Sequence, residues 1–139
     1  MPKKPKVLKD LDVRPWTYGP ITVLGALASK SNGRQISRSG GKTIVRKSDT
    51  ALQYVDDFLK QVRRPKTAYK GWVKFLVVVY YEDLRRDLDI ALLQDMLQKV
   101  GIIKNDRQVT EIFTWRRLSK KRPRVVFTLA DTDPPPVED

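Results

Sequence analysis

Three aspartates carry the chemistry that this sequence could perform. Asp87 and Asp89 stand two residues apart, and Asp106 follows after a helical stretch. In an extended segment, residues i and i+2 project to the same side, so the first two carboxylates can meet one ion. A chain that leaves a strand, passes through a helix and returns is expected to bring Asp106 back beside them. Three such groups repel: at about 4 Å and an effective dielectric near 20, each pair costs on the order of 4 kcal/mol. A bound divalent cation removes that cost. Such an ion polarises a phosphoryl oxygen, lowers the pKa of an attacking water and stabilises the leaving oxygen. Arg85 and Arg86 stand next to the pair and suit phosphate oxygens. The same Asp-x-Asp spacing at a helix start serves equally as a capping pair, with no chemistry.

Composition narrows the field. The 139-residue chain contains neither cysteine nor histidine, which excludes disulfides, thiolate zinc sites and nucleophile–imidazole catalysis. A catalytic metal would therefore sit on oxygen ligands, which favours magnesium, with manganese possible. The net charge is +12 and the pI about 10.1, an excess that calls for a polyanionic partner. Nucleic acid fits better than an anionic membrane, because neither predicted helix sets a basic face against a bulky aromatic one. No apolar run reaches the roughly 18 residues needed to span a bilayer, and no apolar segment follows the N-terminal lysines. These features predict a cytoplasmic protein without a signal peptide, either nucleoid-associated or encoded by a virus and working in its host.

The elements that must position the aspartates follow from periodicity. Residues 1–19 read as a flexible basic arm, 20–131 as one domain, and 132–139 as an acidic proline-rich tail. Ile21–Leu27 is a short apolar strand. A weak hairpin closes at Gly40-Gly41, and its Arg34, Arg38, Lys42, Arg46 and Lys47 are candidates for phosphate contact. Ser48 suits an N-cap, and Leu52, Val55, Phe58, Leu59 and Val62 recur at helical spacing until Pro65. Trp72–Tyr81 is apolar on both faces and predicts a central strand of a covered sheet. A second amphipathic helix runs from Asp89 to Val100, with Gly101 as its stop. Val109–Trp115 and Arg124–Ala130 predict a hairpin whose tip holds Arg116, Arg117, Lys120, Lys121 and Arg122. The fold class is α+β: a small mixed sheet with two helices packed on it.

One stretch resembles a known family. Arg85-Arg86-Asp87-Leu88-Asp89, a helix ending Leu97-Gln98-Lys99-Val100-Gly101-Ile102-Ile103, and Asn105-Asp106-Arg107-Gln108-Val109 are similar in order and spacing to the core of the RusA family of Holliday junction resolvases. More weakly, Ile21–Val23 with Ser31-Asn32 resembles its first strand and the loop after it. The resemblance implies a RusA-like homodimer that cuts four-way DNA junctions by paired, magnesium-dependent nicks. Its essential aspartates fall on Asp87, Asp89 and Asp106. Two departures stand out. The family's asparagine and its catalytic lysine near the helix start are replaced by Ile90 and Leu93, and its paired acids before the later strand become Asn105-Asp106. Arg86, Lys99 and Lys104 are the candidate substitutes for that lysine. A non-catalytic nucleic-acid-binding protein, with the aspartates as helix caps, is the competing expectation. A nuclease acting on RNA or flaps is a third.

Overall fold

A computed structural model describes residues 17–29, 34–39, 42–47 and 49–138, with side chains for all of these except 34–39, 42–47 and 49. Among the described residues the strands are β1 (Thr17–Leu24), β2 (Arg34–Ser39), β3 (Lys42–Lys47), β4 (Val73–Tyr81), β5 (Val109–Leu118) and β6 (Arg124–Asp131). The α-helices among them are α1 (Asp49–Gln61), between β3 and β4, and α2 (Ala91–Val100), between β4 and β5. A 3-10 turn at Asp106–Gln108 leads into β5. The main sheet has the order β1-β6-β4-β5, and β2 with β3 makes a separate two-stranded ribbon. β6 is antiparallel to both of its neighbours, while β4 and β5 are parallel, so β4-α2-β5 is a βαβ unit inside a mixed sheet. The expected α+β class with two helices is what the chain adopts.

The strands follow from alternation. In β4, Val73, Phe75, Val77, Val79 and Tyr81 are buried, and the residues between them are partly exposed. In β6, Val125, Phe127, Leu129 and Asp131 take the same side. Both helices pack on that side. α1 presents Ala51, Tyr54, Val55, Phe58 and Val62, and α2 presents Leu92, Leu93, Met96, Leu97 and Val100. The rings of Phe58 and Phe127 stack with centroids 6.0 Å apart, and Phe75 meets Phe127 edge-on at 5.9 Å. Such ring pairs each add about 0.5–1.5 kcal/mol beyond simple area burial.

Three expectations need correction. β5 and β6 are not a hairpin: each pairs with β4, which lies between them, so the basic stretch 116–122 leads from one side of β4 to the other. The buried stripe of α1 is rotated from the one expected: Leu52 and Leu59 are 44% and 42% exposed, and Ala51 and Tyr54 take their places inside. The first strand begins at Thr17, so the last residues assigned to the arm belong to the sheet, and it ends at Leu24 rather than Leu27. β4 is the inner strand expected, and its second face, with Leu76, Val78 and Tyr80, lies opposite neither of the described helices. Residues 1–16 and Ser48, the bulk of the expected arm and the expected cap of α1, fall outside the described residues.

Glycines mark two places where a side chain could not follow. Gly101 closes α2 with φ 92°, and its N–H reaches back to the helix carbonyls of Gln98 and Leu97, as expected of a left-handed helix stop. Gly19, at φ 103°, sits where β1 shifts register, and a Cβ there would lie 2.7 Å from the Phe127 carbonyl oxygen.

Candidate functional site: a carboxylate pair at the end of the central strand

β4 ends at Tyr81, and the chain turns through Glu82–Asp89 without regular structure before α2 begins. Tyr81 holds this turn. Its hydroxyl donates to the backbone carbonyl of Asp87 at 3.1 Å, and the Arg116 guanidinium lies 5.8 Å from the centre of its ring. Burial pushes the phenol above its ordinary value, so it remains a donor at neutral pH. Arg86 crosses the turn in the other direction. It donates to the Leu27 carbonyl at 3.0 Å and pairs with Glu82 at 3.3 Å.

Asp89 is half-buried and well anchored. One carboxylate oxygen accepts from the Ala91 backbone N–H at 3.0 Å, and the other accepts from the Ser29 hydroxyl at 2.9 Å. The first contact is the capping role that the spacing allowed. Asp87, by contrast, is exposed. Ser29 was not among the sequence candidates. No local signal marked it, since it reaches Asp89 across 60 positions of chain.

Asp106 is elsewhere. It follows the Asn105 cap of the 3-10 turn, and its N–H donates to the Gln98 side chain in the last turn of α2. Asp89 binds the first residue of that helix, and Ala91 to Gln98 spans roughly 10 Å of helix rise. In a βαβ unit the helix runs against the strands, so the chain returns at the opposite end of the sheet. Val109, just after Asp106, pairs with Val73 at the start of β4, whereas Asp87 lies beyond its finish. One chain therefore places Asp87 and Asp89 in the same turn after β4 and Asp106 towards the other end of the sheet. Among the described residues, no group of three His, Cys, Asp or Glu could hold a metal ion.

The basic residues divide along the same line. Ser119, at the β5–β6 tip, donates its N–H to the Tyr81 carbonyl at 2.7 Å. Arg116, Arg117, Lys120, Lys121 and Arg122 thus share the end of the sheet where Arg85, Arg86, Asp87 and Asp89 lie. Of the three candidate cations for the missing lysine, Arg86 is at this end, while Lys99 and Lys104 flank the far end of α2. Arg34, Arg38, Lys42, Arg46 and Lys47 all fall within the β2–β3 ribbon, whose register sets Arg34 against Lys47 and Gln35 against Arg46. A cleft of about 440 Å³ lies between Gly25–Ala26 and Thr50, Gln53, Tyr54 and Asp57 of α1. Tyr54 is buried with no partner for its hydroxyl among the described residues, and burial pushes its pKa far above the ordinary value.

No protein-family model matches the chain, and no curated protein matches it. Among the described residues, no helix is long and apolar enough to cross a membrane.

Proposed function

We propose that this protein is a magnesium-dependent, structure-selective endonuclease that nicks four-way DNA junctions, acting as a homodimer. The observation that carries the reading is the meeting of opposites at one end of the sheet. An exposed and a half-buried carboxylate, Asp87 and Asp89, stand beside a tip holding five cationic side chains, in a protein of net charge +12. Cationic side chains attract phosphate; carboxylates repel it unless they carry a cation. The donor set there is all oxygen, which suits magnesium or manganese.

In this reading Asp87 and Asp89 would hold the ion, and Ser29 and the Ala91 N–H fix the Asp89 carboxylate in orientation. When bound, magnesium supplies charge to the scissile phosphate and a more acidic water. Tyr81 sets the height of the Asp87 backbone above the sheet. Arg86, tied to Leu27, replaces the family's lysine as the nearest fixed cation. The tip residues Arg116, Arg117, Lys120, Lys121 and Arg122 grip one duplex arm. The β2–β3 ribbon, where Arg34 and Lys47 sit opposite each other, grips another, because like charges across a strand pair are relieved by an anion. Asp106 is out of reach of an ion on the Asp87–Asp89 pair of its own chain. It enters the reaction only if a second copy delivers it. A junction is close to two-fold symmetric, so paired nicks also call for two sites related by a two-fold axis.

The bond from Asp89 to the Ala91 N–H favours one alternative, a junction-binding protein in which the aspartates only cap α2. A synthetic four-way junction incubated with and without magnesium separates the two. Asp87→Asn is expected to abolish nicking while binding is kept or tightened, since a negative charge near phosphate is removed. Normal cutting by that variant refutes the assignment, and binding without cutting by the wild type selects the alternative.

A further inference from the structure

The end of the sheet where β4 and β5 begin carries a second concentration of positive charge, which the proposed site does not use. Arg63, Arg64, Lys66 and Lys70 lie on the segment between α1 and β4. Lys99, Lys104 and Arg107 lie on the last turn of α2 and the chain that leads from it to β5. All seven are exposed. Across these two stretches, residues 61–72 and 98–108, they meet one carboxylate, Asp106. The resulting net +6 is half of the whole chain's +12. The fold joins the two stretches. The Tyr69 N–H donates to the Ile102 carbonyl at 2.8 Å, and Tyr69 pairs with Ile103 in a parallel bridge. Lys70 and Lys104 each follow a bridge residue, so they leave it side by side, with their backbones about 5 Å apart. Gln108 fixes the pair. Its amide donates to the Tyr69 and Gly71 carbonyls on either side of Lys70, and its oxygen accepts from the Lys104 N–H. On the flank, Arg64 lies over the Gly101 stop of α2, where a Cβ would stand 3.0 Å from its Nε.

Part of this charge has a local use. α1 ends at Gln61, two residues before Arg63, and α2 ends at Val100. Each helix C-terminus offers about half a negative charge, so the two together offset about one of the seven cations. Asp106 offsets another. Among the described residues none of the seven side chains is in an ion pair, whereas Lys60 and Arg86 are. The remainder is uncompensated, and like charges set side by side on paired strands destabilise the fold. An anion with regularly spaced charges removes that cost.

We propose that this surface binds the sugar–phosphate backbone of a DNA duplex, as a contact separate from the β5–β6 connection. The proposal rests on the reading of the partner as DNA and on none of the carboxylates. The nine residues of β4 separate the two cationic surfaces, roughly 26 Å at about 3.3 Å per residue. That is the length of about eight base pairs, so one duplex arm can touch both.

An anionic membrane fits less well. Segments that lie on a bilayer set bulky apolar side chains beside their lysines. Here Val100, Ile102 and Ile103 are buried, and Trp72 is the large apolar side chain left exposed in the two stretches. One ring is also too few to stack the successive bases of a single strand. The observations therefore favour a duplex backbone.

Fluorescence anisotropy of the full chain reads the contact, with a labelled duplex of about 30 base pairs and no magnesium. Lys70→Ala with Lys104→Ala should weaken binding at about 0.1 M salt by at least about tenfold, and lower the slope of log affinity against log salt by about 2. Lys70→Arg with Lys104→Arg should keep both near the wild type. Lys60→Ala with Lys74→Ala is the matched control. It removes the same charge where Asp56 and Glu111 already face it, and affinity should hardly move. The proposal is overturned by a double alanine variant that keeps the wild-type affinity and slope, or by a control that loses as much. Vesicles of anionic phospholipid that bind the wild type and not the double alanine variant, with duplex affinity equal for the two, overturn it in favour of a membrane. A wild type that binds no duplex overturns this surface and the DNA reading together. Failure of the charge variants alone leaves the Asp87→Asn cleavage assay free to decide the carboxylate assignment.

Discussion

Gln108 shows how much structure one side chain can hold. It is buried at 8% exposure. Its carbonyl oxygen accepts from the Lys104 and Asn105 backbone N–H groups, and its amide donates to the Tyr69 and Gly71 carbonyls. Four backbone groups of two separate segments are satisfied at once. Replacing it by Leu leaves them without partners at a site water reaches poorly. The expected loss is on the order of 3 kcal/mol, read from urea denaturation. Tyr54 is the converse case. Its hydroxyl is buried without a partner among the described residues, so Tyr54→Phe should stabilise the protein by about 1 kcal/mol. The sign of its pH dependence follows from the raised phenol pKa. The folded state keeps a proton that the unfolded chain releases above about pH 10, so stability falls as pH rises past that point. Tyr54→Phe should flatten that alkaline decline in a series of thermal melts. Neither role could be read from the sequence, because a Gln in a turn and a Tyr in a helix declare no partners.

At the level of elements, periodicity was a sound guide to which stretches form helix or strand and a weaker one to which side faces in. β4, α2, β5 and β6 lie close to where alternation and the Gly101 stop placed them, but β5 and β6 do not make the expected hairpin, because β4 lies between them and pairs with both. The α1 stripe went astray because Leu52 and Leu59 fit a helical period as well as Ala51 and Tyr54 do. Which stripe is buried depends on the shape of the sheet beneath, where Phe58 must meet Phe127. The site was half legible. Asp87 and Asp89 are adjacent because they are near in sequence. The placement of Asp106 depended on whether β5 runs parallel or antiparallel to β4, and local pattern carries no such information. The docking of the β5–β6 tip onto Tyr81 makes a prediction at this scale. Lys120→Ala with Lys121→Ala should lower junction affinity and reduce the slope of log affinity against log salt by about 2, measured by fluorescence anisotropy. Cutting per bound junction should hardly change.

Across the described residues, the cationic β5–β6 connection and Asp87 with Asp89 occupy one end of the sheet, and the helices cover one face. The other face is apolar at Leu76, Val78, Phe113, Trp115 and Val126, between charged rows at Lys74 with Glu111 and at Arg117 with Arg124. The alternation of β4 marked its second face as apolar, but what lies against that face was not legible, because a strand apolar on both sides reads alike whether its cover is its own helix or another chain.

The strand order has a further consequence for how the molecule is made. β6 is the last strand of the main sheet to be synthesised yet lies between β1 and β4, the first two. Until the ribosome has released Arg124–Asp131, β1 has no hydrogen-bonded neighbour in that sheet, and Val23 has lost the Val125 opposite it. Closing the sheet therefore means joining segments about a hundred positions apart, a slow, late event in the life of the chain. A nascent protein stopped at Pro123 would carry both helices with no finished surface to rest on, a natural substrate for chaperones or proteases.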